Sequence, residues 1–194
     1  MIPRPLFSTA IAVAALTGCQ PDWPAGLALP DPEQTVLPAD SPASFEHHGA
    51  RFETKAAFVV EGVVLSTMRY RVGKHAGAVP LDVALGWGPM SDATVLGALR
   101  VRQNDRYFFW SSSGPLPIER QEIEHHAANV HLSWGKGAVG DVVLGLDAGD
   151  VVHLKGALVD VADDDGVLAS SLVRTDVGGG ACEVMWVDEA RVID

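Results

Sequence analysis

Short alternating strands separated by turn residues predict a mainly β fold, a small curved β-barrel or a sandwich, with two or three short helices. Three observations carry this expectation. Residues 58–72 alternate, with Phe58, Val60, Val64, Met68, Tyr70 and Val72 on one parity and Glu61, Thr67, Arg69 and Arg71 on the other. Similar short runs recur up to residue 187 between turns rich in Gly, Pro, Asn and Asp. With 47% hydrophobic residues among 194 and only two cysteines, the core must be held by packing and not by disulfides.

Taken in order, the chain opens with a segment discussed below and continues as a proline-rich tether over residues 19–50. Pro21, Pro24, Pro30, Pro32, Pro38 and Pro42 withhold backbone donors there and forbid helix. His47 and His48 close the tether without neighbouring ligands and read as solvated histidines. One β-rich domain is expected over residues 51–194. Its first strand is long, and Gly62 is the natural place for it to turn a barrel corner. Residues 82–85 make a short strand before the turn Gly86-Trp87-Gly88-Pro89. Ser91 is placed to cap a helix reaching Leu96, with Asp92 at its positive end. Residues 100–103 and 106–110 flank Asn104-Asp105 as a hairpin, and Pro117 opens a polar helix over 119–124. Val130, Leu132 and Trp134 alternate with Asn129, His131 and Ser133, so this strand is half-buried. Residues 151–161 form another strand, ending in the turn Asp163-Asp164-Asp165-Gly166. Residues 167–174 and 182–187 are expected to pair as a last hairpin around Gly178-Gly179-Gly180. The stretch 149–158, a turn into an apolar strand with Gly156 at its centre, suits the curved strands of an OB-like barrel. Parity assigns Val60, Val64, Met68, Val130, Leu132, Trp134, Val152, Leu154, Val184 and Trp186 to the core.

The first residues carry an address. Arg4 precedes a mostly apolar run from Leu6 to Leu16, too short to span a bilayer as a helix. The run ends in Leu16-Thr17-Gly18-Cys19, which resembles the lipobox of bacterial lipoproteins. That resemblance implies a signal peptide at residues 1–18, cleavage before Cys19, and lipid on the cysteine. Gln20 in place of Asp implies outer-membrane sorting in a Gram-negative cell, so the expected location is extracytoplasmic, lipid-anchored, at the periplasmic face of the outer membrane. Several acyl chains would make the anchor almost permanent.

Charge excludes one large class of partner. A net charge of −11 argues against tracking nucleic-acid phosphates, which requires clustered Lys and Arg. No cofactor or metal is implied. His125, His126 and His131 are the densest group of ligating side chains, but their spacing does not converge on a strand or a helix. The Asp163–165 run lacks the alternating acids of a calcium loop, and position 172, where such a loop needs Glu, is Leu172. Gly178–180 leads into a strand and is followed by no Lys-Ser or Lys-Thr, so it is not a phosphate loop.

Two features remain for function. Trp87 lies in a Gly-Pro turn without apolar neighbours and is the best exposed aromatic for a glycan surface, whereas Trp134 and Trp186 share parity with core residues. Cys182, with Cys19 lipidated, has no disulfide partner in the chain. Alternation places it with Val184 and Trp186 as packing. Its chemical alternative is a nucleophile activated by His126 or His131, with Asp176 orienting the imidazole and Arg174 holding a carboxylate or lowering the thiol pKa. Trp87 and Asp92 would then wall the same cleft.

The blocks ALGWGPMSD at 84–92, HAANVH at 126–131 and SSLVRTDVGGGACE at 170–183 resemble those of a bacterial family of uncharacterised secreted or membrane-linked proteins, over roughly residues 58–188. The resemblance implies a domain and names no reaction. Ala127 stands where that family often has Ser, so a hydroxyl is not essential there. The functional expectation is an envelope lipoprotein whose β-barrel domain binds an envelope protein, a glycan or a small ligand. A Cys-His thiol hydrolase or acyltransferase acting on an envelope amide is the enzymatic alternative, and a structural or assembly lipoprotein is the third.

Overall fold

The protein is known from a computed structural model that describes residues 22–23, 26–38 and 43–193. The signal segment and Cys19 lie outside the described residues. Among the described residues ten strands follow one another: β1 (Glu33–Val36), β2 (Ser44–His47), β3 (Ala50–Arg69), β4 (Leu81–Gly86) and β5 (Arg100–Asn104), then β6 (Tyr107–Ser111), β7 (Ala127–Trp134), β8 (Val151–Asp163), β9 (Gly166–Leu168) and β10 (Glu183–Ile193). Three short α-helices, α1 (Ala93–Gly97), α2 (Arg120–His125) and α3 (Ala138–Gly145), and a 3-10 turn at Pro89–Ser91 accompany them, so the described residues are mainly β, in agreement with the expected class.

The organising element is β3, which at 20 residues is several times the usual strand length. It pairs with β8 through Val63 and with β4 from Val63 onward, so it changes partner beside Gly62, where the sequence predicts a corner. From β4 the pairing passes to β7, then in parallel to β10, then to β8 and back to β3. This ring is barrel-like and not a clean cylinder, because β1, β2 and β9 extend its edges.

The interior is the product of strand parity. Leu81, Val83 and Leu85 of β4 meet Ala128, Val130 and Leu132 of β7, with Val152, Leu154, Leu158, Met185 and Val187 completing the cluster. Val143 of α3 and Leu146 just beyond it join the same core. Gly156 is required where β8 approaches β10, since a Cβ there would lie 2.0 Å from the carbonyl oxygen of Trp186.

The opposite parity of β4 and β7 carries Asp82, Ala84, Asn129, His131 and Ser133 on the outside of the ring, yet all five are buried. The chain between β4 and β7 folds back over that face. Met90, Leu96 and Ile123 from this segment pack on Ala84 and Ala127, while the tip of the β5–β6 hairpin reaches Asp82.

Several expectations need correction. The 19–50 segment is not wholly a tether: β1 pairs with β3 at Ala56–Val59, and β2 pairs with it at Ala50–Glu53. Proline marks the spaces between these strands, and four-residue segments free of proline suffice to extend a sheet edge. Asp92, not Ser91, caps α1 by accepting from Thr94 N at 2.6 Å. Ser91 Oγ accepts instead from Leu29 N and donates to the Gly88 carbonyl. The hairpin turn sits at Asp105-Arg106, where φ is 49° and 68°, one residue later than expected. The last hairpin does not form: β9 pairs with β8, β10 pairs with β7 and β8, and residues 169–182 make the loop between. Met68, Trp134 and Trp186 are half-buried, and Val184 is buried in an outer cluster with Phe52 and Val159.

Candidate functional site

The buried outer face is a polar network. Register sets Asp82 opposite His131, and Asp82 Oδ1 lies 2.8 Å from His131 Nδ1. The same oxygen accepts from Arg106 Nη1 at 2.8 Å. Arg106 also donates to the carbonyls of Val79 and Lys74, and its guanidinium lies 3.8 Å from the Tyr70 ring centroid. The left-handed turn thus aims a cation at the barrel wall, where a buried carboxylate needs one. Asn129 Nδ2 donates to the Arg106 carbonyl at 2.9 Å, and Asn129 Oδ1 accepts from Gln103 Nε2 at 2.6 Å. A carboxylate, an imidazole, a guanidinium and two amides are therefore joined beneath the hairpin.

Cys182 borders this network. Its Sγ donates to the Arg106 carbonyl at 3.8 Å. Burial, aided by the neighbouring Glu183 carboxylate, pushes the thiol up to about 11, so it is protonated at neutral pH. Two cavities meet at this residue. The larger is a cleft of about 280 Å³. It is lined by Tyr107–Trp110 of β6, by Asp176, Val177, Gly178, Ala181 and Cys182 of the loop, and by Ala127–Asn129 of β7 with Glu124 of α2. Gly178 and Gly180 adopt φ of 90° and 87°, which lets the loop turn tightly beside it. The smaller cavity, about 100 Å³, is lined by Arg106, Tyr107, His131, Leu168, Ala169, Gly180 and Cys182.

Of the residues singled out from sequence, Cys182 and His131 share the smaller cavity, and Cys182 and Asp176 share the cleft. Asp176 does not orient an imidazole: its Oδ2 accepts from the Ser171 hydroxyl at 2.7 Å, and Asp82 has the orienting place because the β4–β7 register sets it opposite His131, whose other cross-strand partner is the apolar Val184. His126 lies elsewhere, with Nδ1 on the Glu122 carbonyl at 2.8 Å and its ring against Gly88, and it lines neither cavity. Trp87 is not an exposed stacking platform. It is 3% exposed and belongs to the barrel core. Asp92 is a helix cap and, like Trp87, does not wall the cleft.

Arg174 does hold a carboxylate, that of Glu183, and lies 5.1 Å from the Phe58 ring centroid. It does not lower the thiol pKa. Glu183 has interior parity, and burial pushes its carboxyl up to about 7 while Arg174 draws it down. His125, His126 and His131 do not assemble. Among the described residues, His75, Asp163 and Asp165 bring ligating atoms within 4.8 Å of one another. Hydrogen bonds from His75 and between the two acids already account for that group, which ties the β8–β9 turn to the 70–80 loop.

Sequence reasoning missed Asp82, Arg106, Asn129 and Gln103, and the aromatics Tyr107 and Phe109. One signal was present: Asp82 interrupts an apolar run at the parity opposite Leu81, Val83 and Leu85. Arg106 had none, being a turn residue whose contacts are all distant in sequence. Among the described residues, no helix is long and apolar enough to cross a membrane. Comparison with protein-family models, curated proteins and solved structures returns no match to this chain.

Proposed function

We propose that the chain is a lipid-anchored envelope protein whose barrel-like domain binds a small ligand, or one ring of a glycan, in the cleft between β6 and the 169–182 loop. The observation that carries this reading is the cleft of about 280 Å³ with four consecutive β6 residues, Tyr107–Trp110, along it. Tyr107 is 43% exposed and Phe109 55% exposed, so large apolar surface is left in water beside a concavity. On its barrel side the cleft borders β7, through Ala127–Asn129. The volume suits a single ring or a short chain. Anchoring and envelope location rest on residues 1–19 as read above.

The test is ligand-observed NMR with small aromatic fragments and short envelope oligosaccharides against the full chain. Binding that is lost in Phe109→Ser at unchanged thermal stability supports the reading. The absence of any binder, or binding indifferent to Phe109, overturns it and leaves a structural role.

A thiol-enzyme reading has one observation in its favour. His131, oriented by Asp82, lines the same 100 Å³ cavity as Cys182. Against it stand the raised thiol pKa and the donation of Sγ to a backbone carbonyl, with no hydrogen bond between Sγ and a ring nitrogen. Binding is the better-supported activity.

A further inference from the structure

We infer that the ligand of this cleft is a small organic cation, an ammonium group joined to an apolar body; the inference rests on the binding reading above and adds the charge of the ligand. The charged residues lining the cleft are Glu124 and Asp176, and no Lys, Arg or His accompanies them. Glu124 already has a partner, Arg120, at 3.2 Å. Asp176 differs: its contact is the neutral hydroxyl of Ser171, and it enters no ion pair among the described residues. A half-buried carboxylate beside apolar walls is poorly compensated, and a ligand cation would supply what the protein omits.

The aromatic side of the cleft favours the same charge. Tyr107 and Phe109 have ring centroids 6.4 Å apart and planes inclined by 46°, so their faces are set at an angle and not stacked. Ring faces attract cations and do not attract anions. Trp110 illustrates this within the protein, since the Arg120 guanidinium lies 4.8 Å from its ring centroid. An anionic ligand would meet the Asp176 carboxylate, and the nearby Arg120 guanidinium is already held by Glu124 and the Trp110 ring. A neutral apolar ligand would fill the volume but leave Asp176 desolvated.

The experiment holds the apolar body constant and varies the head group. Phenethylammonium, phenethyl alcohol and phenylacetate are titrated calorimetrically into the full chain at pH 7. The cation should bind about tenfold more tightly than the alcohol, with phenylacetate weakest. In Asp176→Asn, which keeps an oxygen to accept from Ser171, the cation should fall to the level of the alcohol while alcohol binding is unchanged. Equal binding of cation and alcohol in the wild type, or a preference that survives Asp176→Asn, overturns the charge inference and leaves the binding reading standing. Failure of all three probes to bind overturns the charge inference, while the binding reading stands or falls by the fragment and oligosaccharide screen above.

Discussion

Asp82 and His131 face each other across the β4–β7 ladder on the outside of the ring, with Oδ1 and Nδ1 2.8 Å apart, and each is at most 2% exposed. Outer positions of a barrel strand ordinarily meet water. Here the β5–β6 hairpin replaces the water and brings Arg106 as the counter-charge. The polar face therefore acts as the socket that seats the hairpin, and the hairpin in turn forms one side of the cleft.

Removing one partner of a buried pair leaves the other charge unpaired, so Asp82→Ala should cost about 3 kcal/mol. Replacing Asp82 and Arg106 together should cost less than the sum of the single changes. Urea denaturation of the three variants measures this. Additive losses would mean that the two side chains act independently.

The close approach of β8 and β10 gives a second prediction. Gly156→Ala places a methyl group against the Trp186 carbonyl oxygen, so the strands must separate. A loss of about 2 kcal/mol or more is expected, against a few tenths for Gly179→Ala, where no atom lies within 4 Å of the added Cβ. Thermal unfolding of the pair compares them, and equal midpoints would contradict the packing described.

Cys182 should be slow to alkylate. With its folded thiol near 11, the rate with iodoacetamide should climb about tenfold per pH unit through pH 10, whereas the unfolded chain levels off above about 9. A folded-state rate that is already at its plateau below pH 8 would shift the balance to the thiol-enzyme reading.

Glu183 makes stability depend on pH. The folded carboxyl holds its proton up to about 7, the unfolded one to its ordinary 4.5. Between those values the folded state binds more protons, so this group's contribution falls as pH rises from about 4.5 to about 7 and is constant above. The full change is about 3 kcal/mol. Glu183→Gln should abolish that slope. Chemical denaturation of wild type and variant at pH 5 and pH 8 checks it, and parallel profiles would show that Glu183 is not the source.

The anchor is tested directly. Wild-type chain expressed in a bacterium with lipoprotein machinery should incorporate labelled palmitate, and Cys19→Ala should not. Unlabelled wild type would remove the lipid from the proposal and leave the cleft untouched.

Strand periodicity is a local property, and it was legible. Alternation along 58–72, 129–134 and 151–161 places β3, β7 and β8 and names most of their inward residues. Cys182, His131 and Asp176 were likewise recognisable as reactive or polar types near turns. Their partners were not. An outward-facing Asp82 or His131 is solvated or buried according to what folds over it, and only tertiary structure brings the 87–126 segment there. The same holds for Trp87, which the core encloses although no neighbour in sequence announces it. Pairing of β1 with β3, and of β10 with β7 in parallel, depends on edges made by chain far away, whereas β2 meets β3 through the two-residue turn His48-Gly49, where φ is 50° and 77°. The sequence by itself determined the strands and the parity of their side chains, because both follow from a two-residue repeat. Which polar face is covered, which carboxylate orients His131 and which is left facing the cleft were decided by tertiary structure, because those contacts join residues that no local repeat relates.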